Sequence, residues 1–167
     1  MLNNKNILLG ITASIAAYKS ASLVRLLRKS GAHVKVIQTP KSTEFVTSLT
    51  LSTLSGNQVF SEMINDENKT WNNHVDLGLW ADLMIIAPAS AKTLSKMSSG
   101  DCDNLLLATY LSVKCPVYFA PAMDLEMYKN TLNQTNIKIL VSNNTIVLPV
   151  GSGSLASGLE GEGRMLE

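Results

Sequence analysis

Four short stretches of this chain carry residues whose types and spacing could do chemistry. The first is Gly10-Ile11-Thr12-Ala13-Ser14, where an apolar run gives way to small and hydroxyl residues before a helical pattern. Free N–H groups and hydroxyls in such a turn suit a phosphate at a helix N-terminus, although the G-x-G-x-x-G dinucleotide fingerprint is absent and a plain βα connection reads equally well. The second is Ala87-Pro88-Ala89-Ser90-Ala91-Lys92-Thr93, whose small side chains let a flat ligand approach the backbone while Ser90 and Thr93 donate hydrogen bonds. Its bland reading is a helix start with Pro and a Ser cap. In the third, Pro121-Ala122-Met123-Asp124-Leu125-Glu126-Met127-Tyr128, a turn and a carboxylate stand together, and the Met residues serve equally as core filler. The fourth holds His74, in the polar approach Asn72-Asn73-His74 to an apolar segment. A histidine there can move protons near neutral pH, whereas His33, the other one, begins a strand and reads as structural.

The elements that must position these residues recur as strand-length apolar runs at Asn6–Ile11, His33–Thr39, Leu83–Ala87, Val117–Ala120 and Thr145–Val150. Helical patterns lie between them. Ile15, Leu23, Val24, Leu26 and Leu27 fall at helical spacing, Ser14 reads as a cap, and Gly31 stands just past the end. Further helices are predicted over Thr43–Leu54 with a stop at Gly56, Ala91–Met97, Asp103–Ser112 and Leu125–Leu140. This alternation predicts a doubly wound α/β fold, a mostly parallel sheet covered on both faces. Ligands in such a sheet bind beyond the carboxyl ends of the strands, where three of the four stretches lie. From Gly151 to Gly163 the composition turns to Gly and Ser, which predicts a mobile loop or flap.

A chain of 167 residues, 46% hydrophobic, suits one domain spanning 1–167 with one sizeable core. The net charge of +1, with basic residues scattered along the chain, gives no electrostatic case for nucleic acid or a membrane surface. The apolar run Ile7–Ile11 is too short for a signal or spanning segment, so a cytoplasmic protein is expected. Cys102 and Cys115 lack zinc-site spacing and read as ordinary thiols, so no metal is expected.

Taken in order, the four stretches resemble the homo-oligomeric flavin-containing cysteine decarboxylases, and among them the bacterial phosphopantothenoylcysteine decarboxylases. GITASIAAYKSASLVRLL is similar to that family's FMN phosphate loop and first helix, and HVDLGLWADLMIIAPASAKTLSKMSSGDCDNLL to its His motif and PASANT segment. APAMDLEMY is similar to the P-x-M-N-x-x-M-W signature, and GSLASGLEGEGRM to the substrate clamp G-x-LACG-x-x-G-x-GR. The resemblance implies a Rossmann-like, flavodoxin-type three-layer sandwich forming homotrimers or dodecamers with flavin at subunit contacts. It maps FMN contacts onto Gly10, Thr12, Ser14, Thr39, Ser90 and Thr93, with Ala89 and Met123 flanking the ring. It places substrate against Asp124, Met127, Ala156 and Ser157, with 151–164 as the clamp. His74 then corresponds to the general base that assists oxidation of the substrate thiol to a thioaldehyde, from which CO₂ leaves before the ene-thiol is reduced. The substrate class implied is a small phosphorylated cysteine derivative, with the chain fused to, or acting beside, a synthetase domain.

Two positions depart from the family pattern. Asp124 stands where the family has the Asn thought to hold the substrate carboxylate, and Ser157 where it has the Cys thought to donate a proton. An ionised Asp repels a carboxylate unless protonated or paired, with Lys92 as the expected companion, and a Ser hydroxyl is a far weaker acid than a thiol. A peptidyl-cysteine decarboxylase of lantibiotic type, a flavin prenyltransferase and a non-catalytic FMN-binding regulator are the alternatives.

Overall fold

The structure, a computed structural model, describes residues 2–65 and 67–167. Six strands form one sheet in the order β3-β2-β1-β6-β7-β8: β1 is Asn6–Ile11, β2 His33–Gln38, β3 Val59–Phe60, β6 Leu83–Ala89, β7 Val117–Pro121 and β8 Ile146–Val147. Every pairing is parallel. Counting only these strands, the order is 3-2-1-4-5-6, the doubly wound arrangement whose direction reverses beside the first strand. That reversal lies between β1 and β6, so the turns after Ile11 and Ala89 open side by side.

Alternation along β1 explains the layering. Ile7, Leu9 and Ile11 face one side with Val24, Leu27, Val34 and Leu51, against α1 (Lys19–Lys29) and α2 (Ser48–Ser55). Leu8 faces the other with Met84, Ile86, Phe119 and the buried faces of α3 (His74–Trp80), α4 (Ala91–Ser99), α5 (Leu105–Ser112) and α7 (Thr131–Ser142). Successive side chains on a strand point to opposite faces, so one apolar run feeds two cores. Gly10 lies in the second half of β1, where an added Cβ would come 2.7 Å from Leu106 Cδ1. The absent side chain lets α5 press onto the strand. Ser20 Oγ donates to the Ala87 carbonyl at 2.8 Å and ties α1 to β6 in the buried interior.

Several elements differ from the sequence expectation. The helix expected over Leu125–Leu140 is two, α6 (Leu125–Lys129) and α7. Asn130 ends the first and caps the second, its side chain accepting from Leu132 N. Residues 40–55 likewise begin as a 3-10 turn, Pro40–Glu44, before α2, and a 3-10 turn, Ile15–Tyr18, precedes α1. The strand expected over Thr145–Val150 pairs only at Ile146–Val147. Residues 151–163, expected as a loop, belong to an antiparallel hairpin of β9 (Val150–Ser154) and β10 (Glu160–Met165), with a bulge between Glu162 and Arg164. A smaller hairpin pairs β4 (Ile64–Asn65) with β5 (Thr70–Trp71). Among the described residues no helix is long and apolar enough to cross a membrane.

Candidate active site and its cavities

Two cavities open at the carboxyl edge of the sheet on either side of the turn after β1. The smaller, about 210 Å³, is bordered by Ala13, Thr39, Ser90, Lys92, Thr93 and Lys96, among others. The larger, about 490 Å³, gathers Ser14 and Lys19, then Met123 and Asp124, then Ala156, Ser157 and Arg164.

Thr12 holds the two adjacent turns together. Fully buried, its hydroxyl donates to the Pro88 carbonyl at 2.7 Å and accepts from Ser90 N at 2.9 Å. The hydroxyl of Thr12 is thus spent inside the protein, shaping the turn that carries Ser90. Ser90 caps α4 by accepting from Thr93 N, and its Oγ also lies 3.3 Å from Thr93 Oγ1. Thr39 is buried, its N–H donating to the Ile11 carbonyl. Ala89 is fully buried, and its carbonyl accepts from Ala122 N at 3.1 Å. Ser14 caps the 3-10 turn, accepting from Ala16 N at 3.2 Å.

On the larger cavity, Met123 N donates to the Gly163 carbonyl at 3.0 Å and docks the hairpin against the turn after β7. At Gly163, φ is +125° and an added Cβ would lie 2.5 Å from the Met123 carbonyl oxygen, so only glycine fits this approach. Asp124 occupies the N-cap position of α6 without making a side-chain cap bond, which leaves its carboxylate to the cavity. Met127 is exposed on α6 and borders neither cavity. Lys92 is not the companion of Asp124, since it borders the smaller cavity and no ion pair among the described residues joins them. The cations that share the cavity with Asp124 are Lys19 and Arg164, both overlooked at the level of sequence. Glu167 bridges them, and hydrogen bonds from Lys19 first, then Arg164, hold its carboxyl below the usual value of about 4.5.

His74 stands apart. It opens α3, a helix that runs down to the amino edge of the sheet, where Asn6 Nδ2 donates to the carbonyl of Trp80, the last residue of the helix, at 3.0 Å. It borders neither cavity, and its ring meets Trp71 edge-on with centroids 5.6 Å apart. Its Nδ1 is the one buried side-chain nitrogen or oxygen among the described residues that lacks a hydrogen-bond partner. A buried polar atom of this kind is ordinarily met by an ordered water, a ligand or a neighbouring chain. One chain therefore brings Ser14, Met123, Asp124, Ala156 and Ser157 together, and Thr39, Ser90 and Thr93 together, but not His74 with either group.

The border of the smaller cavity combines the hydroxyl residues Thr39, Ser90 and Thr93 with Lys41, Lys92 and the Lys96–Asp103 ion pair, a lining whose donors and excess of cations suit an anionic group such as a phosphate. A profile described as Flavoprotein matches residues 1–167. The chain belongs to the Flavoprotein family. It is 42% identical over 166 residues to the coenzyme A biosynthesis bifunctional protein CoaBC of Haemophilus influenzae, covering 99% of this chain and 42% of that one. It is 52% identical over 122 residues to a cysteine/cysteine sulfinic acid decarboxylase of an unknown prokaryotic organism, covering 73% of this chain and 34% of the relative. The chain thus spans less than half the length of these curated relatives. Among solved structures, a PPC decarboxylase mutant complexed with pantothenoylaminoethenethiol superposes with a TM-score of 0.86 at 31% identity, over 99% of this chain and 92% of that one. The FMN binding protein AtHal3 superposes with a TM-score of 0.82 at 31% identity, over 99% and 91%. The family and its FMN-binding structural neighbour support FMN as the cofactor.

Proposed function

We propose that this flavoprotein decarboxylates phosphopantothenoylcysteine to phosphopantetheine. The observation that carries the reading is the 490 Å³ cavity, in which the turns after β1 and β7 and the tip of the hairpin meet. Its volume suits an extended acyl-cysteine better than a free amino acid. The CoaBC and PPC decarboxylase similarities over nearly the whole chain support the same substrate.

Bound FMN supplies the two-electron exchange that takes the thiol to a thioaldehyde and later reduces the ene-thiol. The protein's own groups supply the rest. Thr39, Ser90 and Thr93 hold the cofactor phosphate and ribityl chain, and Met123 flanks the ring, whereas Ala89 is fully buried and borders neither cavity. Asp124 borders the same cavity as Ser157 and so faces the reacting end of the substrate. Ser157, at the hairpin tip, donates the proton that completes reduction, slowly because a hydroxyl is a weak acid. His74 acts as base on the thiol. Because it borders neither cavity of its own chain, it is supplied by a neighbouring copy, as in a trimer or a multiple of three. Val75, Leu79 and Trp71 are exposed apolar residues beside it, and they suit burial in such a contact.

A second reading, decarboxylation of free cysteine, is favoured by one observation: among the described residues the carboxylate of Asp124 has no hydrogen-bond or ion-pair partner, and it matches an α-ammonium group. Incubating the FMN-loaded protein with phosphopantothenoylcysteine or cysteine, while following CO₂, product mass and flavin absorbance, separates the two. With the correct substrate, His74→Asn abolishes both CO₂ release and flavin bleaching, whereas Ser157→Ala still releases CO₂ and stalls with reduced flavin. CO₂ release lost in Ser157→Ala but retained in His74→Asn would reverse these roles.

A further inference from the structure

Two cations at the border of the larger cavity converge on the carboxylate of Glu167, which itself borders a neighbouring cavity of about 360 Å³ that shares Lys19 and Met165 with the larger one. Lys19, at the start of α1, has a side chain only 8% exposed. Its Nζ donates to the Met165 carbonyl at 2.7 Å and pairs with Glu167 Oε1 at 2.9 Å. Arg164, on β10, reaches that same Oε1 through Nη2 at 2.5 Å. A buried ammonium is costly unless a counter-charge stands beside it. Here the counter-charge is a side chain 71% exposed to solvent, able to swing away without disturbing the core. A carbonyl satisfies a hydrogen bond but leaves the positive charge uncompensated.

A single carboxylate oxygen shared by an ammonium and a guanidinium is a small substitute for a larger anion. A phosphomonoester carries close to two negative charges at neutral pH and several acceptor oxygens, and it answers both cations at once. The chemistry could come from the substrate's phosphate or from that of the cofactor. The hydroxyl-lined cradle of Thr39, Ser90 and Thr93 lies on the other cavity, whereas Lys19 and Arg164 share theirs with Asp124 and Ser157. We propose that Lys19 and Arg164 form the subsite for the substrate's phosphate, and that the Glu167 carboxylate holds this place until substrate arrives. This rests on the reading of the substrate as a phosphorylated cysteine derivative and adds the residues that select the phosphate.

Calorimetric titration of the FMN-loaded protein with 4'-phosphopantetheine and with pantetheine tests it. The wild type should bind the phosphorylated ligand at least about tenfold more tightly, as expected for charge-assisted pairing. Arg164→Gln, at a side chain 40% exposed and so tolerable to the fold, should erase most of that ratio while leaving pantetheine affinity and flavin content unchanged. Glu167→Gln should tighten the phosphorylated ligand alone, by removing its competitor. Equal weakening of both ligands in Arg164→Gln, or no tightening in Glu167→Gln, overturns the proposal. Loss of flavin from Arg164→Gln would assign the cations to the cofactor and overturn it as well. Titration with inorganic phosphate separates the subsite from the substrate assignment. If the wild type binds phosphate and Arg164→Gln does not, the subsite stands even where neither pantetheine ligand binds, and the failure is then that of the substrate reading. A wild type that binds no phosphate overturns the subsite.

Discussion

Thr12 is the residue on which both cavities depend, because Ala13 borders one, Ser14 borders the other, and its own hydroxyl fixes the turn that carries Ser90. Thr12→Val keeps the shape and removes the hydroxyl. The Ser90 N–H then loses its acceptor in a part-buried site, a cost of about 1–3 kcal/mol. Thermal unfolding should fall by roughly 3–10 °C for a chain of this size, and flavin should wash out more readily. An unchanged midpoint with full flavin retention would mean that Thr12 is a passive core residue. The chemistry-bearing residues that follow strand ends, Ser90, Thr93 and Asp124, were legible because topology alone sends such positions to one edge. Lys19 was not, since a lysine at a helix start reads as a solvated charge until the hairpin is seen to cover it. The expected pairing of Lys92 with Asp124 failed for a related reason: spacing along the chain does not say which side of a turn a side chain takes.

Strands and helices with a long apolar period were read correctly from sequence, and the failures lie where the period is too short or interrupted. β3, β4 and β5 have two residues each, too few to show alternation. Asn130 breaks an apolar helical pattern with a cap whose function depends on its own backbone turning. The Gly and Ser of residues 151–163 hide a hairpin because its strands carry backbone pairing with few apolar side chains. Gly163 is what seats that hairpin on the cavity. Gly163→Ala should cost about 1–3 kcal/mol, as it adds a Cβ 2.5 Å from the Met123 carbonyl at a φ of +125°. Gly158→Ala, at the tip with φ of +86° and nothing within 4 Å, carries conformational strain but no clash, so its loss should be smaller. Substrate affinity should fall in Gly163→Ala with flavin content preserved. Equal losses for the two variants would show that the contact with Met123 does not shape the cavity.

At the scale of the molecule, the separation of His74 from the cavities makes a definite claim about assembly. Asp124 and Ser157 lie on one cavity, while the orphaned Nδ1 of His74 sits at the start of α3 beside exposed apolar residues, Leu79 among them at 64% exposure. If each working site combines His74 of one copy with Asp124 of another, two defective chains can restore one another. His74→Asn and Asp124→Leu should each be inactive alone. After co-refolding at equal amounts, a site in a randomly mixed ring receives an intact His74 from one chain type and an intact Asp124 from the other about a quarter of the time, so about a quarter of wild-type CO₂ release should return. A site built within one chain can never be whole in this mixture, because every chain carries one defect. Light scattering of the mixture must show the same mass as the wild type. Persistent inactivity at that mass would return His74 to its own chain and require a movement of α3 towards the cavity, whereas recovery would place the catalytic base and the substrate clamp on different copies.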